Sequence, residues 1–174
     1  MRAVALTERI GMHVDVSHLS LASMRHVLEV ATKPVIASHS SADALTPHHR
    51  NLPDEDLKAI AATGGVIGVN FFPMFLNPSL RATIDDVVDH IAHIASVAGI
   101  DHVGLGPDFT QELANELYGE RQPVIEGIKL NAAVEGVAGP ADLPKVAAAL
   151  EARGFDEASV RKVMGGNWLR VLRP

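Results

Sequence analysis

Two histidines at matching positions of successive segments are the residues of this sequence best placed to do chemistry. Met12-His13-Val14-Asp15-Val16-Ser17-His18 is a short apolar, β-branched run that ends on Ser-His, and Pro34-Val35-Ile36-Ala37-Ser38-His39 repeats the pattern. Neighbouring parallel strands lie about 4.8 Å apart, so imidazoles at equivalent ends of two strands can converge on one ion at Zn–N distances of about 2.0–2.1 Å. His18 and His39 are therefore candidate metal ligands. A lone strand-end histidine is more often a hydrogen-bonded structural residue, and the matched pair is what raises the expectation. The chain has 9 His and no Cys, so a metal must be held by imidazole and carboxylate, and no disulfide can form.

The pattern around the pair specifies the elements that position it. Residues 2–10 read as the tail of a helix closed by Gly11. Apolar runs predict strands at 12–17, 34–38, 66–72 and 102–106. Ser20 can cap a helix through about Thr32, with Met24, Val27, Leu28 and Ala31 at helical spacing. Pro53-Asp54-Glu55-Asp56 suits a first helical turn, and that helix stops at Gly64-Gly65. Thr83 with Asp86 resembles a capping box for a helix whose inner face is Ile84, Val87, Val88, Ile91, Ile94, Ala95 and Ala98. Residues 111–118 suit a helix, the stretch to 139 is an excursion rich in Gly and small residues, and helices at 141–153 and 156–164 precede a terminal turn through Trp168.

One helix followed by four β-α units predicts an α/β fold with a parallel sheet buried on both faces. A closed eight-stranded TIM barrel takes about 250 residues. At 174 residues the chain has material for half of one, read as a single domain over 1–174, and a small open doubly wound sheet is the alternative.

Sites in such folds form at the C-terminal ends of strands. Those ends are His18, His39, Asn70 and Asp108, so each strand delivers a polar group. The plainer reading makes Asn70 and Asp108 turn-forming or capping residues. Gly104 and Gly106 share a face with Asp108 by the period-two rule, which leaves room beneath a site. The same glycines permit a metal-free, phosphate-binding alternative. His13 and Asp15 have parity opposite to His18 and are expected to point toward the helical layer, with Asp15 orienting the site from behind. His90 and His93 read as surface residues, and His48 and His49 carry no assignment.

The net charge of −6 without a Lys/Arg-rich run argues against a nucleic-acid partner. Residues 1–11 lack an apolar core of signal-peptide type, and no run approaches the roughly 20 apolar residues of a membrane span. A cytoplasmic protein is the expectation.

Several stretches together resemble the membrane (renal) dipeptidases and their bacterial relatives. They are Val14-Asp15-Val16-Ser17-His18, Val35-Ile36-Ala37-Ser38-His39-Ser40-Ser41-Ala42, Arg50-Asn51-Leu52-Pro53-Asp54, Gly65-Val66-Ile67-Gly68-Val69-Asn70-Phe71-Phe72, Gly104-Leu105-Gly106-Pro107-Asp108-Phe109 and Gly166-Asn167-Trp168-Leu169-Arg170-Val171-Leu172. The resemblance runs from residue 6 to the C-terminus and implies a TIM-barrel peptidase with two zinc ions bridged by a glutamate. It implies that His18 and His39 hold the second zinc, that Arg50 and Asn70 bind a dipeptide substrate, and that Asp108 transfers protons. The family's His-x-Asp and bridging glutamate have no counterpart in this chain, so the resemblance is to the C-terminal half of the barrel and implies at most a partial zinc site. The family's Asp-Phe-Asp-Gly appears as Asp108-Phe109-Thr110-Gln111. A half-barrel should leave its first and last strands open, which predicts a homodimer through those edges. An inactive subunit that pairs with itself or another chain is the second reading.

Overall fold

The hydrophobic periodicity resolves into four parallel strands, each followed by a helix, in the computed structural model of the chain, which describes residues 2–173. The order is α1 (Arg2–Arg9), β1 (Val14–Asp15), α2 (Leu21–Val30), β2 (Val35–Ile36), α3 (Asp54–Ala62), β3 (Ile67–Val69), α4 (Ile84–Ala98), β4 (Val103–Leu105) and α5 (Gln111–Tyr118). A hairpin of β5 (Val124–Ile125) and β6 (Ile128–Lys129) follows, then α6 (Leu143–Ala152), α7 (Glu157–Arg161) and α8 (Asn167–Leu172). Val14 stands opposite Val35 and Ile67 opposite Val103, and an Ala37–Ile67 bridge joins the two pairs, so the spatial order is β1-β2-β3-β4. One core forms where Val35, Ile67, Val69 and Val103 meet Leu57 and Ile60 of α3, Ile91 and Ile94 of α4, and Leu150 of α6.

Local chemistry sets the helix starts. Ser20 Oγ accepts from Ser23 N at 3.2 Å, capping α2. Thr83 and Asp86 complete a capping box on α4, with Thr83 N donating to Asp86 Oδ2 at 2.7 Å. Asp56 in the acidic first turn of α3 also takes a two-point grip from Arg25 of α2, at 2.9 and 2.8 Å.

Several expectations from sequence are corrected here. The strands are two or three residues long, because the chain turns as soon as it leaves the core. Leu19 N donates back to Val16 O, and Asn70 Oδ1 accepts from Phe72 N at 2.6 Å, a side-chain turn that stops the 66–72 run. The 156–164 helix ends early in a π-turn with Gly165 at φ 155, and α8 replaces the expected terminal turn.

The β4 edge is not open. Asn167 Nδ2 donates to Val103 O at 2.8 Å and Trp168 Nε1 to Leu105 O at 2.9 Å, occupying the carbonyls that face away from β3. Side-chain amide and indole donors thus do the work of a neighbouring strand. The β1 edge has no such cover among the described residues, and Ile10 and Met12 beside it are exposed. No helix among the described residues is long and apolar enough to cross a membrane.

His90 is buried rather than on the surface: α4 turns it inward, where Nδ1 accepts from Ala42 N at 3.0 Å and Nε2 lies 3.1 Å from Leu76 O. Both ring nitrogens are satisfied by a neutral imidazole with its proton on Nε2. Burial lowers its pKa below 6.5 and the charge of His93 adds to this, outweighing the Leu76 carbonyl and the carboxylates of Asp86 and Asp89. The unfolded chain then takes up a proton that the folded chain resists, so stability is intact above about pH 6.5 and falls as pH drops below it. Urea unfolding of the parent should lose more stability than His90→Gln between about pH 7.5 and 5.5. Equal slopes would assign the acid sensitivity to other groups.

Candidate active site

The end of β2 approaches the sheet more closely than side chains allow. A Cβ on Gly106 would lie 2.0 Å from Ser38 O, and one on Gly68 2.3 Å from the same oxygen. Gly104 is likewise filled, since its Cβ would meet Trp168 Nε1 at 2.6 Å. The expected room beneath Asp108, and with it the phosphate cradle, is therefore taken up by Ser38 and Trp168. What the glycines provide is the seat from which His39 projects.

His18 Nε2 and His39 Nε2 face each other at 2.8 Å. Zinc ligands at about 2.0–2.1 Å in a tetrahedron stand roughly 3.3 Å apart, so a parting of about half an ångström would let both rings bind one ion. The donor set fits two positions of a zinc ion. Desolvation, the Arg50 charge and His39 lower the His18 pKa against the pull of Asp108 and Asp15, which extends its neutral form below the ordinary range.

Asp15 does not turn toward the helical layer. Its Oδ1 accepts from Ser17 N and Ser38 N, both at 3.0 Å, and its Oδ2 accepts from Ser38 Oγ at 2.5 Å. Ser38 Oγ is in turn 2.6 Å from His39 Nδ1. Desolvation pushes the Asp15 carboxyl up, but these hydrogen bonds outweigh it and hold the carboxyl below its usual range. Strand alternation does not carry from Asp15 to His18, because His18 is in the left-handed region at φ 70, after the strand has ended.

A cavity of about 440 Å³ opens beside the pair, lined by His18, Arg50 and Asp108 and walled by Phe72, Met74, Phe75, Ile125 and Leu130. The Arg50 guanidinium lies over the Phe75 ring, 5.3 Å from its centroid. Its Nε and Nη2 are buried without a hydrogen-bond partner. Burial lowers the Arg50 pKa, while Asp108 and Asp15 raise it. Asn51 anchors the loop by donating Nδ2 to Thr46 O and Phe75 O, both at 2.8 Å. Asp108 adopts φ 54, and Asn70 Nδ2 donates to its Oδ2 at 3.4 Å. Asn70 itself is completely buried, so the structure places it behind Asp108 rather than on the cavity wall.

Sequence reasoning passed over His48 and the hairpin that closes the far wall. His48, His49 and Glu126 bring possible ligand atoms within 4.8 Å of one another. His48 Nδ1 accepts from Arg50 N at 3.1 Å, which puts its proton on Nε2, 3.3 Å from Glu126 Oε2. A ring in that state offers a metal no lone pair, and the cluster reads as a clasp between two loops. No local pattern near residue 48 could have pointed to a partner 78 positions away.

The chain matches the family model for membrane dipeptidase (Peptidase family M19) over residues 1–119. It is 40% identical over 166 residues to Dipeptidase tcpJ of Claviceps purpurea, covering 95% of this chain and 35% of that protein. It is 53% identical over 103 residues to an uncharacterized dipeptidase of Schizosaccharomyces pombe, covering 58% of this chain and 25% of that one. Its fold superposes with a TM-score of 0.81 and 31% identity on a metallo peptidase from Rhodobacter sphaeroides liganded with a phosphinate mimic of the dipeptide L-Ala-D-Ala, covering 98% of this chain and 44% of that one. An amidohydrolase from Pseudomonas aeruginosa gives 0.83 at 36% identity, with 98% and 54% covered. The class these features define is a parallel α/β protein with solved metallopeptidase neighbours. The chain belongs to the membrane dipeptidase family, peptidase family M19. It spans between about a quarter and a half of the length of these relatives.

Gly106→Ala should cost about 1–3 kcal/mol, because Ser38 O or the strand must move to admit the methyl group. Unfolding curves measure the loss, and unchanged stability would show that the Ser38 carbonyl yields freely.

Proposed function

We propose that the chain carries part of the active site of a zinc-dependent dipeptidase. The supporting observation is a half-buried guanidinium, its Nε and Nη2 buried and unpartnered, in the wall of the cavity that also receives His18, whose ring faces His39 at 2.8 Å. A buried donor without a partner is costly, and a ligand carboxylate matches its geometry. Arg50 binds the free C-terminal carboxylate of a dipeptide through Nε and Nη2. His18 and His39 would hold a zinc ion through Nε2, and that ion when bound would supply Lewis acidity toward the scissile carbonyl and lower the pKa of water there. Asp108 takes the proton of the attacking water and passes it to the leaving amide nitrogen. Asn70 holds Oδ2 of Asp108, which leaves Oδ1 for that proton, and so serves as a positioning residue. Phe72, Met74, Phe75, Ile125 and Leu130 form a water-excluding wall that suits apolar side chains.

The half-barrel organisation is part of this proposal, supported by four β-α units in sequential order. The second reading is an inactive half-barrel that pairs with another chain or copy. It is favoured by the free β1 edge beside exposed Leu6, Ile10 and Met12, and opposed by the capped β4 edge.

Purified protein given zinc should hydrolyse dipeptides with free carboxyl ends, and metal content with no turnover would favour the second reading. His18→Ala or His39→Ala should each remove most zinc binding, measured by elemental analysis, and unchanged stoichiometry would sink the assignment. Arg50→Lys should keep its zinc but lose at least about tenfold in dipeptide affinity, because an ammonium cannot reproduce a planar two-point grip. Equal affinities would place Arg50 outside the substrate site.

A further inference from the structure

We infer that Asp15 and Ser38 form a hydroxyl relay that fixes the proton of His39 on Nδ1 and so keeps the Nε2 lone pair for a metal. The inference rests on the reading that His18 and His39 hold zinc. It follows from counting protons along three contacts. A carboxylate only accepts, and Asp15 Oδ1 is already committed to the backbone N–H groups of Ser17 and Ser38. Oδ2 of Asp15, 2.5 Å from Ser38 Oγ, must take the one hydroxyl proton that Ser38 has. Ser38 Oγ can then only accept across the 2.6 Å contact to His39 Nδ1. The imidazole proton is thereby placed on Nδ1, and the bare Nε2 points at His18 Nε2. Ser17 Oγ completes the mount by accepting from His39 N at 3.0 Å, so the main chain of the ligand is held as well as its ring.

The two histidines are therefore unequal. His39 is preset for coordination, whereas His18 donates its Nε2 proton to His39 and must shift that proton to Nδ1 before it can bind. Ser38 and Asp15 act as positioning residues, through His39.

Asp15→Asn is a near-isosteric test because it reverses the relay. The asparagine oxygen must face the two backbone donors, which turns its NH2 toward Ser38 Oγ. Ser38 then donates to His39 Nδ1, at 2.6 Å a much shorter contact than the 3.4 Å to its other acceptor, Ser17 Oγ, and the ring proton moves to Nε2. Two-bond 1H–15N correlation spectra of metal-free, 15N-histidine-labelled protein should show the Nδ1–H form of His39 in the parent and the Nε2–H form in Asp15→Asn. Zinc affinity, measured by competition with a chromophoric chelator, should fall about 10–100-fold in Asp15→Asn and in Ser38→Ala, while Ser38→Thr keeps the hydroxyl and stays near the parent. A parent with His39 in the Nε2–H form, or parent-like spectra and affinity in Asp15→Asn and Ser38→Ala, would overturn the relay. If the spectra behave as stated but the parent binds no zinc, the relay stands and the zinc reading fails.

Discussion

The site depends on one close approach, the Ser38 carbonyl lying against the bare backbone of Gly68 and Gly106. Three strands can meet there only because two of them lack a Cβ at the crossing. That contact fixes where β2 ends, and the end of β2 fixes the hydroxyl of Ser38 and the ring of His39. From His39 the geometry passes to His18 across 2.8 Å, and from there to the cavity that Arg50 and Asp108 share. A methyl group added at Gly106 would press on Ser38 O and, at 3.0 Å, on the Cα of His39, and so bears on the ring.

The sequence was most readable where chemistry is periodic. Ser20, Thr83 with Asp86, and the acidic turn at Asp54–Asp56 sit at helix starts as their capping chemistry requires. The convergence of His18 and His39 was legible because matched strand ends become neighbours in a parallel sheet. Reading went wrong where a strand ends and alternation no longer applies. Asp15 faces Ser38 behind His39, in keeping with its expected place behind the site but not with the direction expected of its side chain, and Gly104 and Gly106 hold Trp168 and Ser38 rather than empty space. His90 carries no local mark of burial, since its partners Ala42 and Leu76 come from loops remote in sequence. Arg50 entered through family resemblance, and the structure adds what the motif cannot, a charge desolvated against Phe75.

Backbone strain collects at the same place. Among the described residues, four non-glycine residues have positive φ, and three of them, His18, Asp108 and Glu126, line the same cavity. Such conformations cost about 1–3 kcal/mol each and persist where the surroundings hold them. Here the surroundings are the His18–His39 contact, the Asn70 amide and the His48 clasp. Rigid side chains in a strained cradle limit how far the groups can drift, which suits the fixed distances that the proposed reaction needs.

The unequal edges of the sheet have a consequence for assembly. Asn167 and Trp168 close β4, while among the described residues β1 pairs with β2 alone. Among the described residues the four-stranded sheet thus has a valence of one. A second copy that added its own β1 there would do so about a two-fold axis, completing a pair in which each β1 edge is used up. Open-ended growth into fibres needs two reactive edges, and α8 removes one of them.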